Sequence, residues 1–140
     1  MFVELVAQSR KLGAKIIVGH GETVMEPVKA GTTMAAIHAG VDILAHPGFI
    51  TRDEAQLAAE KGVYLELTAR KGHSLTNGHV AQIASEAGAL LVVNADAHGP
   101  SDFMSVKMAE TVALGAGLDK ARYEKLRRDM SELVEKKGKG

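Results

Sequence analysis

The sequence lacks several features, and each absence narrows the classes of protein to consider. It contains no cysteine, so disulfide bonds and thiolate metal ligands are excluded, and any metal must be held by His, Asp or Glu. Lys and Arg together number 17, as do Asp and Glu, so no net charge points to nucleic acid or an acidic membrane as a partner. No apolar run approaches the roughly 20 residues that span a bilayer, and no signal-peptide pattern opens the chain, so we expect a cytoplasmic protein.

The 140 residues suffice for one domain, and they alternate between helical stretches and short apolar runs. The runs are rich in Val, Ile and Leu, as is typical of strands buried on both faces of a parallel sheet. Each run follows a helical stretch that ends in a glycine, the residue best suited to the left-handed position that closes a helix. The predicted strands are residues 14–18, 41–45, 63–67 and 90–94, and the closing glycines are Gly13, Gly40, Gly62 and Gly88.

The helical stretches complete a repeating βα pattern. An amphipathic helix is predicted at the N-terminus, and the further helices are predicted at residues 32–39, 53–61, 77–87, 106–114 and 118–136. We therefore expect an α/β fold in a single domain over residues 1–136. Residues 137–140 are short, basic and rich in glycine, and we expect them to form a disordered tail.

Four βα units make about half of an eight-fold barrel. An open doubly wound sheet is the competing architecture, and it would suit a flavodoxin-like protein that binds a phosphate compound. A half-barrel leaves strand edges without partners. If the half-barrel is formed, we expect a second copy or another chain to complete it.

Histidine recurs where the predicted strands end. His20, His46, His73 and His98 each follow one of the four runs, and Asp96 lies two residues before His98. The carboxyl ends of parallel strands meet at one face, so we expect these side chains to converge there. Imidazoles with a carboxylate and no thiolate suit Zn, Mn, Fe or Co. The more ordinary interpretation of each histidine alone is a solvent-facing or hydrogen-bonded structural residue.

Other charged residues at this face leave two interpretations open. Glu22 is either a further metal ligand or a loop carboxylate. Arg70, Lys71 and His73 form either a phosphate-binding cluster or a solvated basic loop. Neither nucleotide-binding glycine pattern occurs in the sequence, which disfavours a nucleotide-binding loop. No serine lies in a nucleophile elbow and there is no cysteine, so covalent acyl chemistry is disfavoured.

Four segments, in order, resemble the later motifs of the PHP-domain metal-dependent phosphoesterases, and among these the histidinol-phosphatase-like hydrolases. They are IIVGHGETV, VDILAHPGFIT, LELTARKGHSLTNGHV and LVVNADAHGPSD. The resemblance covers about residues 13–118. It implies the C-terminal part of a distorted (βα)7 barrel, with an active site at the carboxyl ends of the strands that usually binds three divalent metals.

The resemblance also implies roles for individual residues. His20 and His46 would hold one metal, Asp96 a second and His98 a third, with Zn, Mn or Fe as the ion. Asp96 and His98 would be the catalytic residues, and a small phosphorylated compound would be the substrate.

The family's earlier motifs are absent from this sequence: a His-x-His pair, further histidines and a bridging glutamate. We therefore expect a hydrolase of phosphate monoesters or the truncated half of one. The alternative is a non-catalytic metal-binding or interaction module.

Overall fold

A computed structural model describes residues 2–139 of the chain. The helices are α1 (Phe2–Lys11), α2 (Thr32–Ala39), α3 (Arg52–Lys61), α4 (Asn77–Ala87), α5 (Val106–Gly115) and α6 (Lys120–Gly138). The strands are β1 (Val18–His20), β2 (Ile43–Ala45), β3 (Tyr64–Thr68) and β4 (Leu91–Asn94). Single 3-10 turns occupy His73–Thr76 and Pro100–Asp102. None of the described helices combines the length and the apolar character needed to cross a lipid bilayer.

The four strands form one parallel sheet in the order β1-β2-β3-β4. The predicted α/β class is therefore confirmed. Each strand pairs with the strand that follows it in sequence, whereas a doubly wound sheet requires a point at which the strand order reverses. The four strands of residues 2–139 contain no such reversal, and their carboxyl ends lie along one edge of the sheet.

Most predicted element boundaries agree with the structure. The helices predicted at 32–39 and 77–87 are found at those residues. Helix α3 begins after Thr51, whose side chain accepts the Glu54 N–H while the Glu54 carboxylate accepts the Thr51 N–H. The predicted closing glycines all have positive φ angles: Gly13, Gly40, Gly62 and Gly88.

Two boundaries were predicted wrongly. The first strand lies at Val18–His20, not at 14–18. The chain before it is held by Asp42, because the Ile17 N–H donates to the Asp42 carboxylate and the Ile17 carbonyl accepts the Asp42 N–H. The tail is also not disordered at its start, since α6 continues through Gly138.

The two faces of the sheet pack against different helices. Leu44, Leu65 and Leu67 belong to the main core, together with buried residues of helices α1 to α6. The alternate side chains point to the other face, as the period of a strand requires. There Leu133 of α6 covers the end of the sheet at which the strands begin, and it contacts Ile43, Tyr64 and Val92. The carboxyl ends of the strands on this second face remain available for a site.

A buried carboxylate joins three segments at the amino end of β2. The Asp42 side chain is 5% exposed; it pairs with Arg10 of α1 and lies 2.7 Å from Nζ of Lys137. The Ile17 N–H donates to the same carboxylate over 2.7 Å. Burial alone raises the pKa of Asp42, but the bonds from Lys137, Ile17 and Arg10 outweigh it, so the pKa lies below its ordinary value of 3.8. Asp42 thus holds the end of α6 that was predicted to be disordered.

We expect Asp42→Asn to lower the free energy of unfolding by about 2 kcal/mol at pH 7, because it weakens charge-assisted hydrogen bonds from two partly exposed cations. The native pKa is depressed, so this contribution is complete above the ordinary pKa of 3.8 and is lost as pH falls through the native pKa. Urea denaturation of both proteins from pH 7 to pH 3 should show the difference shrinking. Asp53→Asn, at an exposed position of α3, is the matched control. Equal stability of Asp42→Asn and the wild type at pH 7 would contradict this account.

Candidate metal centre

Three residues at the ends of strands meet at the carboxyl edge of the sheet. His20 is the last residue of β1, His46 directly follows β2, and Asp96 lies two residues beyond β4. One side-chain N or O atom from each lies within 4.8 Å of the other two. The structure therefore brings together three of the residues that the sequence placed at one face.

His46 is the buried member of this cluster. Its side chain is 1% exposed, and both ring nitrogens lack a hydrogen-bond partner within residues 2–139. Leaving a buried polar group unpaired costs about 1–3 kcal/mol. Nε2 of His46 lies 3.6 Å from Oδ2 of Asp96. The rings of His20 and His46 meet edge-on, with their centroids 4.6 Å apart. Tetrahedral ligands bound at about 2.1 Å lie about 3.4 Å apart, so Nε2 of His46 and Oδ2 of Asp96 are close to the spacing of two ligands of one metal ion.

The electrostatic surroundings keep His46 neutral. Burial lowers its pKa below the ordinary 6.5, and the imidazoles of His20 and His73 lower it further, while Asp96 opposes them. A neutral imidazole offers the lone pair that a metal ligand requires. The residue is therefore in its metal-binding protonation state at neutral pH.

The backbone at the cluster is strained. His46 has φ +29° and Asp96 has φ +48°; among the described residues, they are the two non-glycine residues with positive φ. Such conformations cost about 1–3 kcal/mol each and occur most often at functional sites. The loops after β1 and β2 also pack tightly, since a Cβ on Gly48 would lie 2.0 Å from the Glu22 carbonyl oxygen. The sequence GHG in one loop and HPG in the other thus permits the close approach that places His20 beside His46.

Glu66 supports His46 from β3 and was missed by the sequence analysis. Its side chain is buried, and its carboxylate accepts the His46 N–H over 2.6 Å. Burial raises the pKa of Glu66 to about 7, and the charge of Asp96 acts in the same direction. The sequence feature that could have identified Glu66 is a carboxylate inside an otherwise apolar run, VYLEL, in a strand that was expected to be buried on both faces.

Arg70 and His98 lie beside Asp96. Nε of Arg70 is 3.3 Å from Asp96 Oδ2, and its Nη1 donates to the Asp96 carbonyl oxygen over 3.0 Å and also contacts Nδ1 of His98. The His98 side chain is 61% exposed, and it lies outside the cluster of His20, His46 and Asp96. Arg70 therefore fixes both the backbone and the carboxylate of Asp96.

Glu22 lies outside the cluster of three. Its carboxylate accepts the Thr33 N–H over 3.1 Å, and its own N–H donates to the Thr33 hydroxyl over 3.0 Å. It thus satisfies an N–H in the first turn of α2, which has no partner within the helix. The loop-carboxylate interpretation fits this geometry, and the prediction of Glu22 as a metal ligand does not.

His73 does not join Arg70 and Lys71 in a phosphate-binding cluster. Its side chain is 5% exposed; Nδ1 lies 2.7 Å from the Thr23 hydroxyl, and its ring is 4.4 Å from the His46 ring. Gly72, with φ +83°, turns the chain inward just before it. His73 therefore lies apart from Arg70 and Lys71, which line an open cleft of about 520 Å³ beside Asp96.

Fold and cluster together define an α/β protein with a histidine–carboxylate centre at the carboxyl ends of parallel strands. No protein-family model matches the chain. It is 45% identical over 122 residues to an uncharacterized protein of Methanocaldococcus jannaschii, MJ1295, and the match covers 86% of this chain. The match covers 56% of MJ1295, so the chain spans about half the length of this curated relative.

We expect His46→Leu to leave the metal-free protein within about 1 kcal/mol of wild-type stability, because it removes buried polar atoms that have no partner. His73→Leu is the matched control: it is equally buried, but it deprives Thr23 of a hydrogen-bond partner and should cost about 2 kcal/mol. Urea denaturation in the presence of a chelator measures both values. If His46→Leu cost as much as His73→Leu, His46 would be a structural residue.

Proposed function

We propose that this chain is the C-terminal, metal-binding portion of a PHP-type phosphoesterase, and that it hydrolyses phosphate monoesters alone or as half of a complete barrel. The sequential parallel sheet supports about half of a distorted (βα)7 barrel. The four sequence segments that resemble PHP-domain motifs, in the same order, support assignment to that family. The observation that carries the proposal is the buried, unpaired imidazole of His46 beside His20 and Asp96.

His20, His46 and Asp96 would hold a divalent ion, with Zn, Mn and Fe as the candidates for this donor set. Two imidazoles and a carboxylate leave a position open for a substrate, as in catalytic rather than structural zinc sites. When bound there, such an ion supplies the positive charge that polarises a phosphoryl oxygen. In the complete family site, with up to three ions, Asp96 and His98 would each reach a further one.

The surrounding residues of the chain have separate tasks. Lys71 and Arg70 offer cationic donors to the phosphate oxygens. Arg70 also holds Asp96 in place through two contacts. The exposed imidazole of His98 lines the same cleft, where it would hold a further ion in the complete family site.

The purified full chain should retain near-stoichiometric Zn, Mn or Fe after dialysis and should hydrolyse p-nitrophenyl phosphate in a metal-dependent manner. His46→Ala and Asp96→Asn should each reduce metal retention, because each removes a ligand, and should lower activity by about 100-fold or more. Elemental analysis and a phosphatase assay on the same samples provide the two readouts.

His38→Ala is the matched control, since His38 lies on the exposed surface of α2 and should change neither readout. Full metal content and activity in His46→Ala would refute the assignment of the centre. Metal retention that depends on His46, without hydrolysis of any phosphate ester, would leave the centre intact and refute the phosphoesterase.

The alternative is a non-catalytic metal-binding or interaction module, and the edge strand favours it. Within residues 2–139, β1 pairs with β2 alone, and Val18 on this edge is 50% exposed. An unpaired edge is a surface on which a second copy or a partner chain can add strands. Metal retention without hydrolysis, together with a dimeric mass in light scattering, would favour this module over the enzyme.

A further inference from the structure

The cleft beside Asp96 has two chemically different sides. One side is built from the segments after β3 and β4 and carries Arg70, Lys71 and His98. The other is built from the segment after the second 3-10 turn and from the start of α5, and it carries Phe103, Met104 and Met108. The volume of the whole cleft, about 520 Å³, lies within the range of small-molecule sites.

The polar side retains free cationic donors. Within residues 2–139, neither Nζ of Lys71 nor Nη2 of Arg70 has a hydrogen-bond or ion-pair partner. The carboxylate of Asp102 interacts electrostatically with Arg70, but its Oδ2 accepts the backbone N–H groups of His98 and Gly99 and leaves the two donor atoms unbonded. This side therefore suits a phosphate dianion.

The apolar side is more exposed than its residue types favour. The Phe103 side chain is 77% exposed and that of Met108 is 49% exposed. Both side chains line the cleft that also carries the charged groups. An aromatic ring and thioether side chains offer stacking and S–aromatic contacts to a flat ring. An aliphatic polyol would gain little from these three side chains.

We propose that the cleft selects phosphate monoesters whose organic group is aromatic. Arg70 and Lys71 bind the phosphate, and the ring lies against Phe103, Met104 and Met108. The proposal rests on the proposed function in taking a phosphate ester as the substrate, and it adds the chemical class of the leaving group.

Phenylphosphonate and methylphosphonate test this selectivity without any hydrolysis, because their C–P bond is not a phosphoester. Both carry the same charged group and differ only in the ring. Calorimetric titration of the full chain should give a Kd for phenylphosphonate about tenfold lower than that for methylphosphonate, the effect of one aromatic contact with some apolar burial. Phe103→Ala should abolish most of this ratio and leave methylphosphonate binding unchanged. Lys71→Ala should raise the Kd values of both probes by a similar factor.

Phe49→Ala is the matched control, since Phe49 is a 71% exposed phenylalanine that does not line the cleft, and it should preserve the ratio. Three results would each overturn the proposal. They are equal Kd values for the two probes, a ratio of Kd values that is unchanged in Phe103→Ala, and no measurable binding of either probe. The two proposals can fail separately. Selective binding with no hydrolysis of phenyl phosphate refutes the phosphoesterase alone, whereas hydrolysis of phenyl phosphate and glycerol phosphate at equal efficiency refutes the selectivity alone.

Discussion

The organisation of the site depends on one buried imidazole that the rest of the described chain does not satisfy. His46 lies at the end of β2 with both ring nitrogens unpaired, in a backbone conformation that costs free energy. Glu66 fixes its N–H, and the tight loops around it leave little room to turn away. Asp96 lies 3.6 Å from Nε2, and its own backbone is strained. We propose that a divalent metal ion offsets these costs, because it would take one unpaired His46 nitrogen and a carboxylate oxygen of Asp96 as ligands.

The scaffold separates stability from this strained end. At the amino ends of the strands, Asp42 ties α1 and α6 to β2, and Leu133 covers the second face of the sheet. At the carboxyl ends the same face carries polar side chains and an open cleft. Parallel βα proteins divide their two ends in this way, because helices cover the sheet while the loops after the strands remain free to vary. The strained residues are therefore supported by a core that lies away from the candidate metal centre.

Much of the framework could be predicted from local signals. Closing glycines indicated the helix ends and apolar runs indicated the four parallel strands, whose carboxyl ends meet at one edge, so His20, His46 and Asp96 converge. What the sequence could not supply depends on side-chain direction. His73 turns inward after Gly72, and Glu66 points from the buried sheet to a backbone N–H. Neither fact follows from spacing alone.

The most direct test of the centre is a crystal structure of the full chain grown with Zn²⁺ or Mn²⁺, with anomalous diffraction data collected at the absorption edge of the metal. The account predicts an anomalous peak within about 2.2 Å of a His46 ring nitrogen and an Asp96 carboxylate oxygen, with His20 as the third ligand. One of the two unpaired nitrogens of His46 would then have a partner. An anomalous map with no peak at these three residues, from crystals that contain the metal elsewhere or not at all, would contradict the account.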